Sequence, residues 1–161
     1  MFPGIRQTNL LIFLGCTAAL LVALYLEHFM YMDPCPLCMT QRIFVIAVGL
    51  LALLAFLHNP ALRGRRIYAV LGVVLALAGS YFSSRQLWLQ SLPADQVPAC
   101  GPSVSYMFDV LPFSETLKAM LHGDGNCAEV DKIFGVNLVV LTLLTFIALA
   151  LVNLYQGWRR H

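Results

Sequence analysis

Read from the N-terminus, the chain alternates long apolar runs with short polar breaks. Four runs stand out, at 10–32, 43–57, 67–89 and 133–155. A helix that crosses a bilayer takes about 20 mostly apolar residues, with a range of roughly 17–25. The runs are continuous and lack the period-two alternation of strands, so they predict helices. The second is short unless Met39, Thr40, Gln41 and Arg42 open its helix, which brings it to the lower limit. The first is longer than the roughly 7–15 apolar residues of a signal peptide. It also ends in Glu27-His28 rather than a small-residue cleavage site, so it reads as a span. The pattern predicts an all-α fold, an integral membrane bundle of four antiparallel helices in one domain over 1–161. The expected spans are 10–32, 40–57, 67–89 and 133–155. Gly15, Ala18, Ala19, Gly49, Gly72, Ala76 and Gly79 would let helices approach closely, although some would be plain bilayer filler.

Composition agrees with the pattern. The chain is 60% hydrophobic and only 11% charged, against about a quarter charged in soluble domains. A net charge of +2, with no basic tract interleaved with aromatics, gives no footprint for nucleic acid.

Charge then orients the bundle. Arg6, Arg63, Arg65, Arg66, Arg159 and Arg160 fall at the termini and in the middle connection, which share one side of a four-span protein. Glu27, Asp33, Asp95, Asp109, Glu115, Asp124, Glu129 and Asp131 fall on or near the other. The positive-inside rule places 1–9, 58–66 and 156–161 in the cytoplasm. Two loops then face outward, 33–39 and 90–132. The longer contains Pro93, Pro98, Pro102 and Pro112, so it is not one helix. Within it, a short helix is expected from Ser114 as N-cap, with Phe113, Leu117, Met120 and Leu121 on one face. That face would lie on the membrane surface or pack on the outer end of the bundle.

The chemistry lies in the cysteines. Cys16 is mid-span and reads as a small buried hydrophobe. The other four divide between the outward loops: Cys35 and Cys38 in Asp33-Pro34-Cys35-Pro36-Leu37-Cys38, Cys100 and Cys127 in the longer one. Outside the cytoplasm disulfides form and persist, so four cysteines paired by loop read as two disulfides. Structural staples suit Cys100 and Cys127. A Cys35–Cys38 bond closes almost no chain and would stabilise little, whereas CxxC is the usual form of a redox-active dithiol. A zinc site built from all four loop cysteines would need both loops to meet and every thiol to stay reduced, so no metal is expected. Cys38 stands at the start of the second helix, where the helix dipole favours a thiolate. Arg42 follows one turn deeper on the same face, with a permanent charge that could hold a thiolate or polarise an acceptor carbonyl. An arginine snorkelling to the headgroups is the plain alternative.

Together these features resemble the DsbB family of bacterial inner-membrane thiol:quinone oxidoreductases. The resemblance is carried by CPLC followed by QR, by WLQSLPADQVPACGP around Cys100, and by GDGNCAEV around Cys127. It spans nearly the whole chain. It implies redox-active disulfides Cys35–Cys38 and Cys100–Cys127, a periplasmic thioredoxin-fold oxidase of DsbA type as partner, and ubiquinone or menaquinone as acceptor. It further implies entry of the partner's cysteine at Cys100, attack of Cys127 on Cys35, and delivery of electrons from Cys38 to the quinone with help from Arg42. Glu27 and His28 are the nearest titratable candidates for a proton route, although Glu27 could instead pair with Arg85 or Arg42. A glycine-rich approach at Gly123 and Gly125 would let Cys127 move, or would simply form a turn. The chain departs from the family pattern at Lys132, where a tryptophan is expected, and lacks the proline before the last helix. Arg85-Gln86 offers no histidine near the expected quinone site, and Gln86 is assigned no role. A quinone-linked enzyme like vitamin K epoxide reductase is an alternative, but that family carries its CxxC in the last helix of its core. A non-enzymatic four-span scaffold with structural disulfides is another.

Overall fold

The computed structural model describes residues 4–31, 34–93, 95–102, 104–130, 132–133 and 136–159. Met32, Asp33, Asp131, the 134–135 step and Arg160, all used in the expectations above, lie outside the described residues, as does the Lys132 side chain. Among the described residues six helices follow one another: α1 (Ile5–Phe29), α2 (Pro36–His58), α3 (Leu62–Gln90), α4 (Val104–Val110), α5 (Phe113–His122) and α6 (Leu138–Trp158). A 3-10 turn, Gly125–Ala128, follows α5. Two-residue strands β1 (Lys132–Ile133) and β2 (Val136–Asn137) pair antiparallel before α6.

The four long helices are each long and apolar enough to cross a membrane. Their ends follow local chemistry rather than hydropathy alone. The second helix starts at Pro36, inside the expected loop, because Cys35 is a good N-cap: its sulfur accepts the Cys38 amide at 3.4 Å. Pro36 takes the first helical position, where a missing N–H costs nothing. α2 ends at Asn59, whose left-handed backbone (φ 42°) closes the helix before Pro60. The last helix starts at Leu138 rather than 133. The preceding residues are drawn into the β1–β2 pairing, and Asn137 Oδ1 caps the new start by accepting the Val139 amide at 2.9 Å.

α1 packs on α2, α2 on α3, and α3 most extensively on α6, whereas α1 and α6 share no comparable interface. Mid-bundle, Phe146 of α6 is fully buried among Ile12, Cys16, Val45, Val48, Ala52 and Ala76. Several small residues are there for close approach. A side chain at Gly79 would strike the Phe146 ring, one at Gly72 would strike Asn153, and Gly49 lies against Cys16. Gly15 touches nothing and is filler.

The long loop folds over one end of the bundle. α5 begins at Phe113 with Pro112 at its N-cap, so Ser114 is not the cap. Its Thr116 is buried, while Phe113, Leu117 and Leu121 remain exposed. The helix is tied down at its C-terminal end: the Thr40 hydroxyl donates to the Met120 carbonyl at 2.8 Å, and Arg85 Nε donates to the His122 carbonyl at 2.9 Å. Neither contact uses the apolar side chains Phe113, Leu117 and Leu121, which stay exposed. α4 was not anticipated in the sequence.

Candidate functional site

Three of the four loop cysteines converge where α2 and α3 meet the 3-10 turn. Cys35, Cys127, Leu37, Phe82 and Leu89 form one buried cluster, with Cys38 packed against it. Cys127 is completely buried, and it packs in the same cluster as Cys35. The Cys35 and Cys38 sulfurs lie 2.9 Å apart. Contact with Cys127 first, then with Cys38, and burial push the Cys35 thiol well above its ordinary range, so it holds its proton. All five cysteines are free thiols in this structure, so neither expected disulfide is formed.

Cys100 is the exposed member. Its segment is nevertheless stitched to the Cys127 turn: the Gly125 amide donates to the Ala99 carbonyl at 3.1 Å, and Asn126 Nδ2 donates to the Gly101 carbonyl at 3.0 Å. The backbones run so close that a β-carbon at Gly125 would meet the Cys100 amide at 2.9 Å and its sulfur at 3.0 Å. Gly123 has φ +75°, and a β-carbon there would press into Leu37 and Leu89. These two glycines let the turn descend onto α2 and α3. The arrangement exposes one cysteine of the long loop to solvent and buries the other against the CxxC.

Gln86 was missed by sequence reasoning and is the most connected polar group in the site. It is buried on α3, and its Nε2 donates to Cys35 Sγ at 3.3 Å and to Cys38 Sγ at 3.2 Å. Its Oε1 accepts from buried Gln41 Nε2 at 2.7 Å. An N–H aimed at a sulfur stabilises that sulfur's anionic form. Gln90, one turn further along α3, donates to the Glu129 carbonyl at 2.8 Å and accepts from Asn137 at 2.7 Å, which joins the loop to the start of α6.

Arg42 lies one turn below Cys38 and pairs with Glu27 of α1 at 2.5 Å. Of the two partners expected for Glu27, the structure selects Arg42; Arg85 serves α5 instead. His28 is exposed, with Nδ1 at 3.1 Å from the Leu24 carbonyl of its own helix. It does not join Glu27 at the site.

Beside these groups is a cavity of about 300 Å3. Glu27, Cys38, Gln41, Arg42, Gln86 and Gln90 supply polar groups at its wall, and the rest is mostly aliphatic, from α1 and α6 with Pro34 and Val45, together with Thr142 and Thr145. It lies between α1 and α6, beside the start of α2 and the end of α3. Its size falls in the roughly 300–1,000 Å3 range of small-molecule sites. The lining thus combines an arginine and three glutamines with a largely aliphatic wall, and Cys38 is part of it. Among the described residues no group of three or more His, Cys, Asp or Glu side chains is arranged to hold a metal ion.

Comparison with known proteins points the same way. Residues 5–156 match the family model described as Disulfide bond formation protein DsbB. Disulfide bond formation protein B of Saccharophagus degradans is 47% identical over 159 residues, covering 98% of this chain and 96% of the relative. The protein of the same name from Marinobacter nauticus is 50% identical over 152 residues, 94% of this chain and 90% of its own. Disulfide bond formation protein B 1 of Pseudomonas aeruginosa is 47% identical over 156 residues, 96% of both.

Proposed function

This chain belongs to the DsbB family of disulfide-forming membrane proteins, and from that premise we propose that it is a thiol:quinone oxidoreductase of the bacterial inner membrane. It reoxidises a periplasmic thioredoxin-fold dithiol of DsbA type. Both termini are cytoplasmic, and the loops carrying the cysteines face the periplasm. The observation that carries the reading is the burial of Cys127 against Cys35 while Cys100 of the same loop stays exposed.

The relay has two exchanges. In the oxidised protein Cys100 and Cys127 form one disulfide, and Cys35 and Cys38 the other. The partner's thiolate attacks exposed Cys100, which releases Cys127. Cys127 attacks Cys35, and Cys38 leaves as a thiolate. Gln86 supports that thiolate with its amide N–H, and the N-terminal end of α2 adds its dipole. Arg42, Gln41 and Gln86 would hold the quinone in the cavity between α1 and α6. When bound, a quinone supplies an acceptor for two electrons and two protons. Glu27 keeps Arg42 directed along the cavity wall and is the titratable carboxylate closest to it.

The test is reconstitution. Purified protein, given a reduced thioredoxin-fold dithiol and a soluble quinone, is expected to reduce quinone in proportion to dithiol oxidised. A Cys35–Cys38 pair that never changes redox state under these conditions would support the scaffold alternative instead.

A further inference from the structure

The turn that carries Cys127 also holds a buried carboxylate that the relay above leaves idle. Asp124 is only 8% exposed, and its Oδ2 has no hydrogen-bond partner among the described residues. Its Oδ1 lies 3.7 Å from Cys127 Sγ, which donates to it. The contact is built into the backbone, because the Cys127 amide donates to the Asp124 carbonyl at 3.1 Å and closes the 3-10 turn. Room for the carboxylate comes from Gly101, where any side chain would strike Asp124. Buried carboxylates normally gather cationic or N–H donors. Here the side-chain donor among the described residues is a thiol. The thiols gathered at this turn are Cys127 itself, Cys35 packed with it, Cys38 against the same cluster, and Cys100 beside Gly125. The nearby cation, Arg85, is turned to the His122 carbonyl.

We propose that Asp124 is the general base that takes the proton of Cys127 as Cys127 attacks Cys35. The inference rests on the relay reading and supplies the proton's route. The partner's attack expels Cys127 as a thiolate, and once that sulfur has taken up a proton from solvent it is a poor nucleophile, so a base beside it has to remove that proton before it attacks. In the step, the Cys127 proton passes to Asp124 and the sulfur's electron pair forms a bond to Cys35 Sγ. The Cys35–Cys38 bond breaks, and its electron pair leaves on Cys38. No outside oxidant or reductant is required. One negative charge moves from Asp124 to Cys38, which is from the loop to the cavity that holds Arg42.

The experiment uses the full-length oxidised protein in detergent and a reduced thioredoxin-fold probe with a single cysteine, which locks a mixed disulfide at Cys100. Acid quenching and peptide mapping then time the appearance of the Cys35–Cys127 linkage. With the native chain, the rate is expected to change less than about threefold between pH 6 and 8, because the base is internal. Asp124→Asn is expected to slow the linkage about 10²-fold at neutral pH and to make it climb roughly tenfold per pH unit as hydroxide takes over. Asp124→Glu, which keeps a carboxylate, is expected to restore the rate to within about tenfold and the flat profile. An Asn variant that keeps the native rate overturns the proposal. So does one slowed equally at every pH, which would mark a residue that only shapes the turn. If the Asn variant fails to fold, the native profile decides, and a native rate that itself climbs tenfold per unit overturns the base role. Absence of any Cys35–Cys127 linkage in the native chain sinks the relay itself, and the role of Asp124 with it.

Discussion

At the scale of single residues, the site depends on where N–H groups point. Gln86 donates to both sulfurs of the CxxC and is itself held by Gln41. Gln86→Leu keeps the volume and removes the donor. It is expected to slow electron transfer to quinone by about tenfold or more, the equivalent of roughly 1.4 kcal/mol. Stopped-flow absorbance of the Cys38 thiolate should register the loss directly, and an unchanged thiolate signal would count against the role. Arg42→Ala leaves Glu27 facing a hydrophobic cavity without its cation. It is expected to lower kcat/KM for quinone at least tenfold more than it lowers the exchange rate at Cys100, a difference of roughly 1.4 kcal/mol; equal losses would remove the quinone role. The cysteines and Arg42 were visible in the sequence because CxxC and an intramembrane charge are rare in apolar runs. Gln86 was not, because an uncharged amide in a long helix reads as ordinary. The signal that existed was Gln86 with Gln90, two amides one turn apart on one face of a span. His28 misled for the opposite reason: proximity along the chain to Glu27 does not place two adjacent helical residues on one face.

Among the elements, the four long helices were legible and the loop that covers them was not. Hydropathy fixes where a span must lie but not where its first turn begins. The starts of α2 and α6 were displaced by a cysteine cap and by a short strand pairing. α4, at seven residues, is shorter than any pattern a periodicity argument can detect. The 3-10 turn is the element on which the proposed relay depends, because Gly125 sets how closely the two loop segments approach. Gly125→Val is expected to wedge the turn away from Pro98 and Cys100. The expected result is a fall of about tenfold or more in exchange between the loop and the CxxC, with the melting of the helical bundle in detergent unchanged. Normal exchange in that variant would show that the close stitching is dispensable.

For the whole molecule, the chief fact is an incomplete ring of helices. α3 closes onto α2 and α6, but α1 and α6 leave a chamber between them. Thr142 of α6 lines it. Thr142→Trp should occupy much of the volume. It is expected to raise the KM for quinone at least tenfold while leaving the reaction of Cys100 with a thiol probe as it was; equal use of quinone by this variant would place the acceptor elsewhere. The chamber could not be read from sequence, because it arises from how closely each pair of helices packs.

Its largely apolar lining has a pharmacological consequence. A competitor of the proposed quinone that suits this lining is itself lipid-soluble, so the concentration that matters is the one dissolved in the lipid. Apparent potency should therefore follow the competitor's partition coefficient, and adding more phospholipid at a fixed dose should dilute the inhibition away.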